Sequence, residues 1–206
     1  MRSAGERMTI ALSLDGYTDL PAGKIAAVVT HLEMHQRPPA AAPPDRITLR
    51  VMERPDIGWY RALYRAIGED WLWFSRLEMT EAELAAILHR PGNETYVAMA
   101  DGEEAGIVEL DRRDAADVEI SFFGLRPDAT GKGLGGAMMA AALDLAWRGE
   151  TRRVWLHTCT LDHPAALTFY RRQGFIPFAR QIEVVDDPRL SGILPRTAAP
   201  HIPVIG

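Results

Sequence analysis

The feature that most restricts the fold of this 206-residue chain is Gly131-Lys132-Gly133-Leu134-Gly135-Gly136, a dense glycine cluster between a strand-like segment and a long apolar helical one. Glycine has no side chain to hold a ligand away, so backbone amides at such a turn can converge on phosphate, and the following helix adds positive potential. A turn that only packs a helix tightly on a sheet is the simpler alternative, and Ala137, Ala140 and Ala141 suit it. The spacing also satisfies G-x-G-x-x-G through Gly131, Gly133 and Gly136. A Rossmann-type dinucleotide oxidoreductase nevertheless fits poorly. Arg126-Pro127-Asp128-Ala129-Thr130 separates the strand from the first glycine, and Pro127 cannot continue a central strand. A Walker A loop fails because Gly133 stands where Ser or Thr should follow Lys132.

The elements around this loop set the fold class. Ile47, Leu49 and Val51 alternate with polar residues as in a half-buried strand. Pro55-Asp56 opens a helix to about Ile67 that Gly68 stops, and Thr80-Glu81-Ala82-Glu83 reads as a capping box for a second helix to His89. Segments 96–100 and 104–111 flank Asp101-Gly102, a strong hairpin signal. Strand 118–125, the glycine segment, a helix to about Arg148, strand 153–158, helix 164–173 and strand 175–185 follow. The sum is an α/β chain with a mixed sheet whose second half contains βα units, so ligands are expected at strand carboxyl ends beside helix N-termini. Upstream, apolar runs 8–14 and 24–34 are separated by turn residues. The second run fits helical spacing at Ile25, Val28, Val29 and Leu32, but its β-branched content favours a strand.

The proline run 38–44 marks a boundary. Residues 1–45 are therefore read as an N-terminal extension and linker, 46–186 as the principal domain, and 187–206, with four prolines, as an extended C-terminal tail. The extension adds strands to the sheet or mediates homodimerisation, and the sequence leaves both open. It equally leaves open whether Met1 or Met8 is the native start. Segment 8–14 is short, interrupted by Thr9 and Ser13 and without a small-residue cleavage site, which argues against a signal peptide. No run approaches the roughly 18 apolar residues of a membrane span, and a cytoplasmic protein is the expectation. The single cysteine, Cys159, excludes an internal disulfide framework and any multi-thiolate zinc site. With 23 basic against 28 acidic residues, a net charge of −5 has the wrong sign for nonspecific nucleic-acid binding. Lys132, one of only two lysines, sits inside the glycine loop.

Residues 125–135, Leu-Arg-Pro-Asp-Ala-Thr-Gly-Lys-Gly-Leu-Gly, closely resemble the acetyl-CoA pyrophosphate loop of the GNAT N-acetyltransferase superfamily, Gln/Arg-x-x-Gly-x-Gly/Ala. Residues 163–175, His-Pro-Ala-Ala-Leu-Thr-Phe-Tyr-Arg-Arg-Gln-Gly-Phe, resemble its second signature, Asn-x-x-Ala-x-x-Phe-Tyr-x-x-x-Gly-Phe. The element order matches from about Arg46 to Val185. The resemblance implies a GNAT-like fold and an acyltransferase that moves acetyl from acetyl-CoA to a primary amine, by direct attack in a ternary complex and without a metal. A small-molecule or peptide amine is the implied partner. A non-catalytic CoA-binding module is the alternative. Asp128, Thr130 and His163 depart from the consensus, which touches individual side-chain contacts but not a cradle of main-chain amides.

Acyl transfer from a thioester needs an amine that loses its proton, a polarised carbonyl and a protonated leaving thiolate. Tyr170 is the expected acid, since a phenol stays protonated at neutral pH. Glu119 is the expected base, on a face read as shared with Ser121 and Phe123, and Glu109 is the second choice. Gly124 marks a bulge or close backbone approach, so Phe123, Gly124 and Leu125 are expected to bind the pantetheine arm and acetyl carbonyl. Thr130, Gly131, Lys132, Gly133, Leu134, Gly135, Gly136 and His163 are expected at the rest of the cofactor. The aromatic run at Trp71, Trp73 and Phe74, with Tyr60 and Tyr64, suits either substrate contacts or core packing. Neither His157 with Cys159 nor His31 with His35 has the pattern of a nucleophile pair or a metal motif.

Overall fold

A computed structural model describes residues 11–39 and 46–206. The first part of segment 8–14, most of the proline run and both candidate start residues lie outside the described residues. The hairpin forms as the turn chemistry dictates, with β3 (Asn93–Ala100) and β4 (Glu103–Asp114) antiparallel around Asp101-Gly102. Helix α1 (Ile57–Gly68) starts where the Asp56 carboxylate accepts the Trp59 amide at 2.8 Å. Helix α2 is a single turn, Ser75–Glu78, and α3 (Glu81–Leu88) begins at the Thr80–Glu83 capping box.

Among the described residues seven strands make one sheet in the order β2-β3-β4-β5-β6-β1-β7, where β2 is Thr48–Met52, β5 Asp117–Leu125, β6 Arg153–Cys159, β1 Lys24–Met34 and β7 Ile176–Asp186. All neighbouring pairs are antiparallel except β5 with β6. Strand β1 is thus an interior strand between β6 and β7, and the division after residue 45 does not separate it from the sheet. Helix α4 (Leu134–Ala146) lies on one face, where Ala137, Ala142 and Ala146 let Met138 and Met139 pack against Leu110, Val118, Val154 and Leu156. The other face is covered by α1 and α3 through Tyr60, Tyr64, Ile67 and Leu84.

Two expectations are corrected. Segment 187–206 does not extend over the surface. The Arg189 guanidinium, 2% exposed as a residue, bonds the Asp187 carboxylate at 2.7 Å and the Ile202 carbonyl at 2.8 Å, and also reaches the Ala198 carbonyl. A buried guanidinium must satisfy its donors, so the segment folds back and packs Leu194, Ala198 and Ala199 against Ile25 and Leu72. The second correction concerns β5. Leu110 pairs with Ile120 but Glu109 pairs with Phe122, so Ser121 is a bulged residue and the side-chain alternation inverts there. Glu119 therefore shares its face with Phe122 and Gly124, towards α1, and not with Phe123, which packs with the core under α4.

Candidate active site

Parallel pairing of β5 with β6 stops at Glu119 and Trp155, while β6 continues along β1 to Cys159. From Ile120 to Leu125, the β5 edge that faces away from β4 has no strand partner among the described residues. A cavity of about 1390 Å³ opens in the split, lined by residues 120–125 on one side and by His157, Cys159, Asp162 and Tyr170 on the other. Gly124 marks a close approach, since a Cβ there would come within 2.5 Å of Ile67 Cγ2. The bulge itself lies at Ser121.

At one end of the cavity the chain turns through Pro127–Ala129 into the glycine segment. Gly131 and Gly133 both have φ +78°, a region costly for other residues. Gly133 caps α4 without any side-chain bond, so the first amides of the helix carry no side-chain acceptor. Thr130 and Gly135 line the cavity, and a Cβ on Gly136 would meet nothing within 4 Å. Lys132 is exposed, whereas the Leu134 side chain is buried in the core beneath α4. Asp128 is turned towards Arg126, whose Nε lies 3.2 Å away. Sequence reading missed Arg46, whose Nη1 stands 4.0 Å from the place of a Gly133 Cβ. Nothing in the loop motif points to a residue so far upstream.

Tyr170 lies on α5 (Ala166–Arg172) with its ring among Phe123, Phe169 and Phe175, at centroid distances of 6.3, 5.4 and 6.3 Å. Burial, aided by the nearby Asp162 charge, pushes its hydroxyl well above the usual phenol range, so it is a donor at neutral pH. His163 lines the same cavity, accepts the Ala165 amide on Nδ1 at 3.1 Å and stacks edge-on with Trp71.

The two glutamates differ. Glu109 is fully buried, accepting from Arg76 at 2.5 Å and from the Tyr60 hydroxyl at 2.8 Å. It does not line the cavity, and its bonds are made within the core. Glu119 places Oε1 3.4 Å from His157 Nδ1 and does not itself line the cavity; His157 does. The contact with Glu119 raises the His157 pKa above the ordinary histidine value against the opposing effect of burial, and the charges of Asp162 and Glu183 add to it. Cys159 is pushed up to about 11, chiefly by burial, and remains a thiol. The sequence spacing of His157 concealed this pairing, because its carboxylate partner sits on a neighbouring strand 38 residues upstream.

The model of the acetyltransferase (GNAT) family matches residues 60–175, more than half of the chain and inclusive of both signature segments. The chain belongs to this family. A mycothiol acetyltransferase of Clavibacter sepedonicus is 38% identical over 76 residues, 37% of this chain and 24% of that protein, so the GNAT chain spans about a quarter of this relative. Among solved structures, a functionally unknown conserved protein from Staphylococcus epidermidis superposes with a TM-score of 0.60 at 18% identity, over 80% of this chain and 63% of the other. A variant of the spermidine N-acetyltransferase SpeG from Vibrio cholerae gives 0.52 at 20% identity, over 71% and 96%. These likenesses establish the GNAT fold. Strands β1, β2 and β7 and segment 187–206 fall outside residues 60–175, which the family model matches. No helix among the described residues is long and apolar enough to cross a membrane.

Proposed function

We propose that the protein transfers acetyl from acetyl-CoA to a primary amine by direct attack in a ternary complex. The observation that carries this reading is the split between β5 and β6, which puts an unpaired strand edge, the glycine turn, Tyr170 and His157 around one cavity. The uncapped amides of α4 hold the pyrophosphate, with Arg46 as the cationic side chain that the loop itself lacks at Asp128 and Thr130. The free edge of residues 120–125 accepts the pantetheine arm and polarises the thioester carbonyl.

The amine nitrogen bonds to the acetyl carbon and the carbon–sulfur bond breaks. His157, with Nδ1 turned to Glu119, takes the amine proton on Nε2, and Tyr170 donates to the departing sulfur. The products are the N-acetyl amine and the CoA thiol. Glu119 is a positioning residue in this scheme, where the sequence suggested the base itself. A protonated Cys159 is a poor nucleophile, which favours direct attack over an acyl-cysteine. The catalytic unit runs from β1 to β7, with 187–206 buttressing it.

Thiol release from acetyl-CoA with a panel of amines tests the proposal. Amine-dependent release is expected, and Tyr170→Phe should lower kcat by roughly 10-fold to 100-fold while leaving CoA binding unchanged. CoA binding without transfer to any amine would instead favour the non-catalytic module.

A further inference from the structure

The α1 side of the cavity carries the information on the acceptor. We infer that the acceptor is a monoamine with an aromatic or branched apolar body, and not a polyamine or a polyhydroxylated amine; this rests on the acetyltransferase reading above. On the α1 side the cavity wall consists of Tyr64, Ile67, Trp73 and Phe122. Trp73 is its fixed panel. Its Nε1 donates to Asp162 Oδ1 at 3.2 Å, and its ring lies 5.3 Å from Tyr64 and 5.4 Å from Phe122. Two glycines make the slot for it: a Cβ on Gly68 would come within 2.3 Å of Trp73 Cβ, and one on Gly124 within 3.0 Å of Trp73 Cη2. Trp73 therefore bridges both sides of the split, from the β5 edge to the turn after β6.

Most polar groups along this side are already engaged with one another. Tyr64 and Ser75 share a hydrogen bond at 3.1 Å, Asp162 also accepts from Thr158 and the Cys159 amide, and His31 pairs with Gln181 at 2.9 Å. Arg180 of β7, aligned with Thr30, also lines the cavity, and its cation repels a second ammonium. Among the described residues lining the cavity, Glu183 is the one carboxylate with no bonded partner. One ammonium thus has one free carboxylate and aromatic faces to approach, but further ammonium groups, and hydroxyls beyond the reach of Arg180, would lose water without replacement. Each such unpaired group costs roughly tenfold or more in affinity, whereas an apolar body gains from contact with the wall.

Steady-state thiol release at saturating acetyl-CoA with 2-phenylethylamine, tryptamine, isoamylamine, spermidine and kanamycin tests this on the wild-type protein. The three apolar monoamines should exceed spermidine and kanamycin by at least tenfold in kcat/KM. Trp73→Leu, checked for an unchanged melting profile, should raise KM for tryptamine about tenfold with a small effect on kcat. If it does not, or if it unfolds the protein while Phe122→Ala in its place leaves KM unchanged, the wall does not select the acceptor. Spermidine or kanamycin turned over as well as the apolar amines would overturn the inference and leave the acetyltransferase reading intact. Release with none of the five would overturn this inference, and the acetyltransferase reading would fall only if the wider amine panel, peptide amines included, also gave none.

Discussion

The two ends of the cavity are built from different parts of the polypeptide. The end proposed for the donor is mostly main chain: left-handed Gly131 and Gly133, the uncapped start of α4 and the unpaired edge of β5. The acceptor end is side chain, with His157 from β6, Glu119 from β5, Trp73 from the connection after α1, and His31 and Gln181 from β1 and β7. A main-chain cradle tolerates departures such as Asp128 and Thr130, because amides do not depend on residue type. A side-chain site changes with each substitution, so losses of catalysis should concentrate there. His157→Ala gives the largest expected effect, a fall in kcat of roughly 100-fold or more with CoA affinity unchanged. Titration calorimetry with CoA beside steady-state kinetics would check both halves, and an equal loss at the two ends would break the contrast.

The same contrast decides what could be read in the sequence. The glycine turn, the Asp101-Gly102 hairpin and the Thr80–Glu83 box are local patterns whose residues contact near neighbours in the chain, and each was legible. The inverted face of β5 was not. Alternation from Glu119 to Phe123 looks unbroken until the pairing of Glu109 with Phe122 reveals Ser121 as an extra residue. Nor could the prolines of 187–206 reveal that Arg189 would draw the segment into a closed loop. The polar character of His157 was visible, but its pairing with Glu119 depends on a parallel contact between strands far apart in sequence.

Glu119→Gln sharpens the distinction between a base and the group behind it. In the proposed scheme His157 works in its neutral form, and Glu119, Asp162 and Glu183 all raise its pKa, with the His31 ring 5.7 Å away as the other titratable neighbour. The rate should therefore fall as pH drops through a value above the ordinary histidine range. Removing the Glu119 carboxylate stabilises the imidazolium less, so the acid limb should move to lower pH while the maximal rate falls modestly. A pH profile of kcat/KM would show this shift. An activity lost at every pH would instead make Glu119 the base.

The smallest effect is expected at the donor end, where one side chain supplements many amides. Arg46→Ala should raise KM for acetyl-CoA by about 5-fold to 10-fold, the range of a charge-assisted contact that is partly solvated, and leave kcat unchanged. The guanidinium stands over Gly133 at the start of α4, so its proposed partner on the donor is the pyrophosphate and not the thioester. Acetyl-pantetheine, which lacks the pyrophosphate, should accordingly bind the variant and the wild type alike. Salt adds a second discriminating axis. Screening at high ionic strength weakens the exposed Arg46 contact, and the gap between variant and wild type should close there, whereas a gap caused by a displaced glycine turn would persist with both donors.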